Sequence, residues 1–210
     1  MNYRRIVWLI IFAVAMAYVE SAVVVYLRTI YYPQGFSFPL VLLPPGMVGI
    51  EMGREVATLV MLLGVAMLAG ADRWDRILVF CVGFGVWDIA YYIWLWVFLR
   101  WPPSLLTWDV LFLIPVPWIG PVVAPMVVSV VLVVGALLLL RKRAGGEPID
   151  FPLSLRILAL AGGVLVLGSF MLDFQVVLRQ MEPPPFRWGL FGTGVALAVA
   201  ALVLALGRKS

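Results

Sequence analysis

Glu51, Arg54 and Glu55 fall within five residues of one another in "GIEMGREVATLVML", at the seam between a proline-rich stretch and an apolar run. With Thr58 they follow the i, i+3, i+4, i+7 pattern, which places them on one face of a helix. Carboxylates beside a guanidinium can pair with it, exchange protons, or grip the polar end of a ligand. Other apolar runs carry further acids: Glu20 beside Ser21, Asp88 in "WDIAYY", and Asp173 after Ser169. Asp88 has two phenols, Tyr91 and Tyr92, one helical turn away. The candidate polar core is therefore Glu20, Glu51, Arg54, Glu55, Asp88, Tyr91, Tyr92 and Asp173, and no catalytic role is assigned among them.

Composition narrows the chemistry. The chain has one cysteine, Cys81, and no histidine, which removes an intramolecular disulfide, a thiolate cluster, the usual haem ligand, and the commonest metal ligand and general base. A non-redox protein with no cofactor and no metal site is expected. The nine methionines are scattered and form no copper-binding array. "EMGREV" invites comparison with the membrane proteases that process prenylated proteins, but those enzymes need histidines. Asp88 and Asp173 do not share the paired motifs of aspartyl intramembrane proteases either. The net charge of +4 is spread over loop ends, which speaks for topology and lipid contact rather than nucleic acid.

The elements that must position these residues are membrane helices. Of 210 residues, 64% are hydrophobic and 12% charged, far from the roughly one-quarter charged content of a soluble domain. Six runs are long enough for a hydrocarbon core about 30 Å thick: 6–27, 47–70, 77–99, 121–140, 155–178 and 188–206. They lack strand-like alternation and use Ala, Leu, Val and Gly freely, which favours helices over a barrel. The expected fold is thus an all-α integral membrane protein, a six-helix bundle forming one transmembrane domain over 1–210. The first run is read as a retained helix, being long for a signal core and interrupted by Glu20 near its end.

Basic residues set the expected orientation. Arg4, Arg5, Arg73, Arg76, Arg141, Lys142, Arg143, Arg156, Arg208 and Lys209 flank one set of loops, against Arg28, Arg100, Arg179 and Arg187 on the other. Both termini are placed in the cytoplasm, in a bacterial-type inner membrane. The outer connections are long and aromatic, and Trp108, Asp109 and Trp118 in "RWPPSLLTWDVLFLIPVPWIGP" are outer-loop candidates. As one helix, the apolar stretch from Val110 to Leu140 would extend roughly 46 Å at 1.5 Å per residue. Pro115, Pro117 and Pro121 break it. A short interfacial or re-entrant helix around Leu105 to Ile114 is expected, with Asp109 in its first turn favouring the helix dipole.

At about 1.5 Å per residue from the cytoplasmic ends, Asp88 lies some 18 Å in and Glu51 about 29 Å, with Glu20, Glu55, Arg54 and Asp173 between. All fall in the outer half. A buried charge on a lone helix costs about 2.5 to 3.5 kcal/mol, so these groups should face one another or water. Arg54 is expected to pair within its own helix or across to Glu20 or Asp88. Such a network can simply fix helix register, with Gly53, Gly64, Gly83 and Gly85 allowing close approach. One arginine cannot neutralise so many acids, so some must be protonated, wet, or matched by a cationic ligand, a metal ion or a partner's side chain, which tilts the reading towards function.

Function is expected to be that of a membrane subunit or binding and scaffold protein, whose polar core opens to the outer face. Its partners would be the bilayer and either other membrane subunits or a bound lipid or small molecule. Two other classes are weighed. A small transporter or channel lacks polar residues in the inner half and a clear inverted repeat. An intramembrane enzyme acting on a lipid or isoprenoid lacks a recognisable catalytic set.

Overall fold

The computed structural model describes residues 3–208. The chain is mostly helical, with α1 (Tyr3–Tyr31), α2 (Pro45–Ala69), α3 (Arg73–Leu99), α4 (Val123–Ala144), α5 (Leu153–Met171), the single-turn α6 (Gln175–Leu178) and α7 (Trp188–Gly207). Six helical segments are long and apolar enough to cross a membrane, α5 and α6 counting as one. Their starts follow local chemistry. Pro45 opens α2 at its first position, where a missing N–H costs nothing. Asp72 caps α3, its carboxylate accepting the Asp75 N–H at 3.0 Å.

Small residues decide which helices touch. Ala13 and Ala17 of α1 are fully buried with Trp87 and Ala90 of α3, and the Ser21 hydroxyl donates to the Ala17 and Tyr91 carbonyls at 2.7 and 3.1 Å. A Cβ on Gly85 would lie 2.7 Å from the Ser129 carbonyl oxygen, so α3 and α4 meet backbone to side. A Cβ on Gly162 would come equally close to the Gly194 carbonyl, and α5 and α7 share the most extensive helix contact among the described residues. The last helix forms this contact and also touches α4.

The two ends of the bundle differ. At the end where the described chain starts and stops, here the terminal end, Arg5 pairs with Asp75 at 2.5 Å, Arg143 with Asp72, and Arg208 with Asp150 at 2.6 Å. Lys142 donates to the carbonyls of Ala205, Leu206 and Arg208, which satisfies the end of α7. Just inside lies an apolar cluster that includes Ile6, Leu9, Leu78, Val79, Val82 and Leu139.

At the opposite end the segment between α3 and α4 departs from expectation. It is not a helix around Leu105 to Ile114 but an antiparallel hairpin of β1 (Trp108–Phe112) and β2 (Trp118–Pro121), so the fold is not purely α. Asp109 pairs with Gly120 and Val110 with Ile119, and the register shifts before Phe112. The physical reason lies in residue types. Trp108, Val110, Phe112, Trp118 and Ile119 favour extended backbone, while Pro115 and Pro117 close the turn and forbid helical bonding. Asp109 therefore has no helix terminus to favour. The fifth span is also interrupted, since α5 stops at Met171 and a turn through Asp173 leads to α6.

Candidate functional site

Arg54 organises the polar core. Its Nε and Nη2 donate to one Glu51 oxygen at 3.0 and 2.9 Å, one turn back on α2, and Nη1 donates to Glu20 of α1 at 2.5 Å. The same Glu20 oxygen accepts the Thr58 hydroxyl. Arg54 and Thr58 thus reach Glu20 of α1; of the partners expected for Arg54, Glu51 within α2 and Glu20 across to α1 are engaged together, and Asp88 is bonded to Ser129 instead. The Glu20 and Glu51 side chains are only 8% and 6% exposed, so their charge is met by the guanidinium rather than by water.

Glu55 serves a different partner. Both its oxygens accept the Leu113 N–H, at 3.0 and 2.8 Å. Glu55 lies ten residues inside α2, which places this contact about 15 Å below the helix start. The hairpin tip therefore dips deep into the bundle. Its strand-end N–H would be left orphaned there, and the carboxylate satisfies it.

Asp88 of α3 accepts the Ser129 hydroxyl of α4 at 2.7 Å. Tyr92, one turn on, donates to Asp109 at 3.3 Å. Asp109 is buried and pairs with Arg28 at 3.0 Å. The Arg28 guanidinium lies 3.7 Å from the Trp101 ring centroid and 4.2 Å from that of Phe36, a favourable desolvated setting for a cation. Burial raises the Asp109 carboxyl to about 6, against the opposing pull of Arg28, the Val110 N–H and Tyr92. Arg28 is buried and central, a role its place near the end of an apolar run did not reveal. The signal available was its separation from the other basic residues, between Leu27 and the aromatic "YYPQGF".

These groups surround one pocket of about 270 Å³. Glu20, Glu51, Arg54, Glu55, Asp88, Tyr91, Tyr92 and Arg28 line it, with Trp87 and an apolar remainder from α1, the 32–43 loop, the hairpin and α6. Four carboxylates thus face it against two guanidiniums, of which Arg28 is already engaged with Asp109. Among the described residues, Trp87 Nε1 and Arg28 Nη1 are buried without a hydrogen-bond partner. No three of the acids gather as a metal-ligand group among the described residues. The chemistry on offer is recognition: an acid-rich polar patch beside an apolar wall.

Four sequence candidates do not line this pocket: Asp109, bonded to Arg28 and Tyr92, and three more. Asp173 pairs with Arg187 at 2.8 Å near the end of the bundle, away from the pocket, so it does not join the polar core. Trp108 packs edge-on to Phe38 and Phe186. Trp118 stacks with Phe170 and leans on Phe112. The two tryptophans hold the hairpin onto its neighbours while Val110, Leu111 and Phe112 of β1 and Leu113 of the tip line the pocket.

Compared with models of known protein families, with curated proteins and with solved structures, the chain matches none.

Proposed function

We propose that this chain is a non-redox, multi-pass membrane binding protein, or the ligand-carrying subunit of a membrane assembly. Its pocket takes an amphipathic molecule whose amine or hydroxyl end meets the carboxylates and whose hydrocarbon end lies on the apolar wall. The observation that carries this reading is the convergence of Glu20, Glu51, Arg54, Glu55 and Asp88, with Arg28 and the phenols Tyr91 and Tyr92, on one pocket whose other wall is largely apolar. The surplus of acid over base favours a ligand that donates hydrogen bonds or carries positive charge.

The basic bias of the loops at the terminal end supports placing both termini in the cytoplasm of a bacterial-type plasma membrane, with the pocket toward the outer face. Binding is favoured over conduction because the apolar cluster around Leu78, Val79, Val82 and Leu139 fills the terminal half of the bundle. Among the described residues, the acids that line the pocket have no counterpart in that cluster.

Native mass spectrometry of the full chain, released from nanodiscs of native lipid, tests this. The expected result is a small amphipathic adduct of defined mass on the wild type, lost in Asp88→Asn while that variant stays monodisperse. An adduct-free wild type, or an adduct retained unchanged by Asp88→Asn, would overturn the pocket assignment. Other protein chains at fixed stoichiometry would identify the subunit form of the same proposal, provided the adduct travels with them.

A further inference from the structure

A second, separate cavity lies on the outside of the bundle, between α2 and α3. It measures about 620 Å³ and is lined by Val56, Leu59, Val60, Leu63 and Met67 of α2, Ile77 and Phe80 of α3, and Ile114 of the hairpin tip. Its terminal end is closed by Arg73 and Arg76. The α2 residues recur at i, i+3, i+4, i+7 and i+11, one continuous stripe. From Val56 to Met67 this stripe rises about 16 Å, close to half of a hydrocarbon core roughly 30 Å thick. The groove therefore has the length of one leaflet's acyl chain, and it ends in positive charge where a headgroup would begin.

The charges at that end are distributed unevenly. The same stretch, "ADRWDR", holds two acids and two arginines. Both acids are committed elsewhere, Asp72 to Arg143 and Asp75 to Arg5. Arg73 and Arg76 have no carboxylate partner among the described residues. Arg76 uses Nε to donate to the Gly70 carbonyl at 3.3 Å, which leaves its two outer nitrogens for another acceptor. Two guanidiniums without a counter-charge above an apolar channel complement a phosphodiester carrying an acyl chain.

We infer that the α2–α3 groove is a specific site for an anionic glycerophospholipid, with its phosphate between Arg73 and Arg76 and one acyl chain running along Met67, Leu63 and Val60 toward Ile114. The site is independent of the pocket described above. Residues adjacent in sequence face opposite ways at the boundary: Glu55 and Leu113 line the pocket, and Val56 and Ile114 line the groove. The wall of α2 and the hairpin tip separates the two.

The test uses the full chain in nanodiscs of phosphatidylcholine containing a minority of phosphatidylglycerol, followed by graded delipidation and native mass spectrometry. Phosphatidylglycerol should be retained over phosphatidylcholine at one per chain. Enrichment should fall about fivefold in Arg73→Gln or Arg76→Gln and about twentyfold in the double variant. Leu63→Trp, which fills the channel and keeps both arginines, should also release the lipid, and it decides the matter if the double variant does not fold. Equal retention of the two lipids by the wild type, or enrichment unaltered in these variants, would overturn the site.

Discussion

Residues of the same type carry very different weight here, because burial sets the dielectric. Arg54 holds two carboxylates that water barely reaches, whereas Asp173 and Arg187 pair with the arginine side chain 47% exposed. Arg54→Leu removes the shared cation and leaves Glu20 and Glu51 uncompensated, at an expected cost of about 3 kcal/mol. Asp173→Asn should change stability by less than about 0.5 kcal/mol. Thermal unfolding in detergent compares the two directly, and similar melting temperatures would remove Arg54 from the centre of the core. Asp109 gives a pH test. Its folded carboxyl titrates at about 6 against an ordinary 3.8, so the folded state holds its proton more tightly. The associated stability is full below 3.8 and is lost as pH rises through about 6. The melting temperature of the wild type should carry a falling component over that window that is missing in Asp109→Asn. Parallel profiles would mean that Asp109 keeps its ordinary affinity for protons.

Elements meet where their backbones are satisfied or bare. The hairpin dips beside α2 because Glu55 accepts the Leu113 N–H, a bond no strand partner supplies at the tip. Glu55→Ala leaves that N–H unpaired and should cost about 1 to 3 kcal/mol. Amide exchange at Leu113 should speed up while exchange in α5 and α7 stays slow, and unchanged protection at Leu113 would show that the tip is held by something else. The sequence shows why this element is easily misread. Its apolar run is continuous with α4, so hydropathy alone reads helix, and only the prolines mark a break. The alternation of Trp108, Val110 and Phe112 was the signal for a strand. It lay in residue type rather than in periodicity of charge.

Across the whole molecule, polarity is sorted by end. Among the described residues, the terminal end holds three ion pairs and an apolar plug, and the hairpin end holds the pocket and the aromatic loops. A cysteine introduced at Ser37 and one at Glu147, each exposed and on opposite ends, test how the proposed topology sits in a cell. In a Cys81→Ala background, a membrane-impermeant maleimide should label Ser37→Cys in intact cells and Glu147→Cys only after permeabilisation. The opposite pattern would invert the orientation and turn the pocket toward the cytoplasm.

The six apolar spans, the placing of the acids within them away from the terminal end, and the helical stripe of Glu51, Arg54, Glu55 and Thr58 were determined by the sequence itself. Each depends on spacing along one chain against fixed distances: 1.5 Å per helical residue and the thickness of a bilayer. Which of those polar groups meet was decided only by the tertiary structure. Arg28 and Asp109 are 81 residues apart and Glu55 and Leu113 are 58 apart. Their contacts depend on the hairpin folding inward and on small residues letting particular helices approach. Asp173 shared the composition and apparent depth of the core acids, yet the break after Met171 turns it to Arg187. Periodicity within one helix cannot encode the azimuth of its neighbours, because that angle is set by packing among all of them at once.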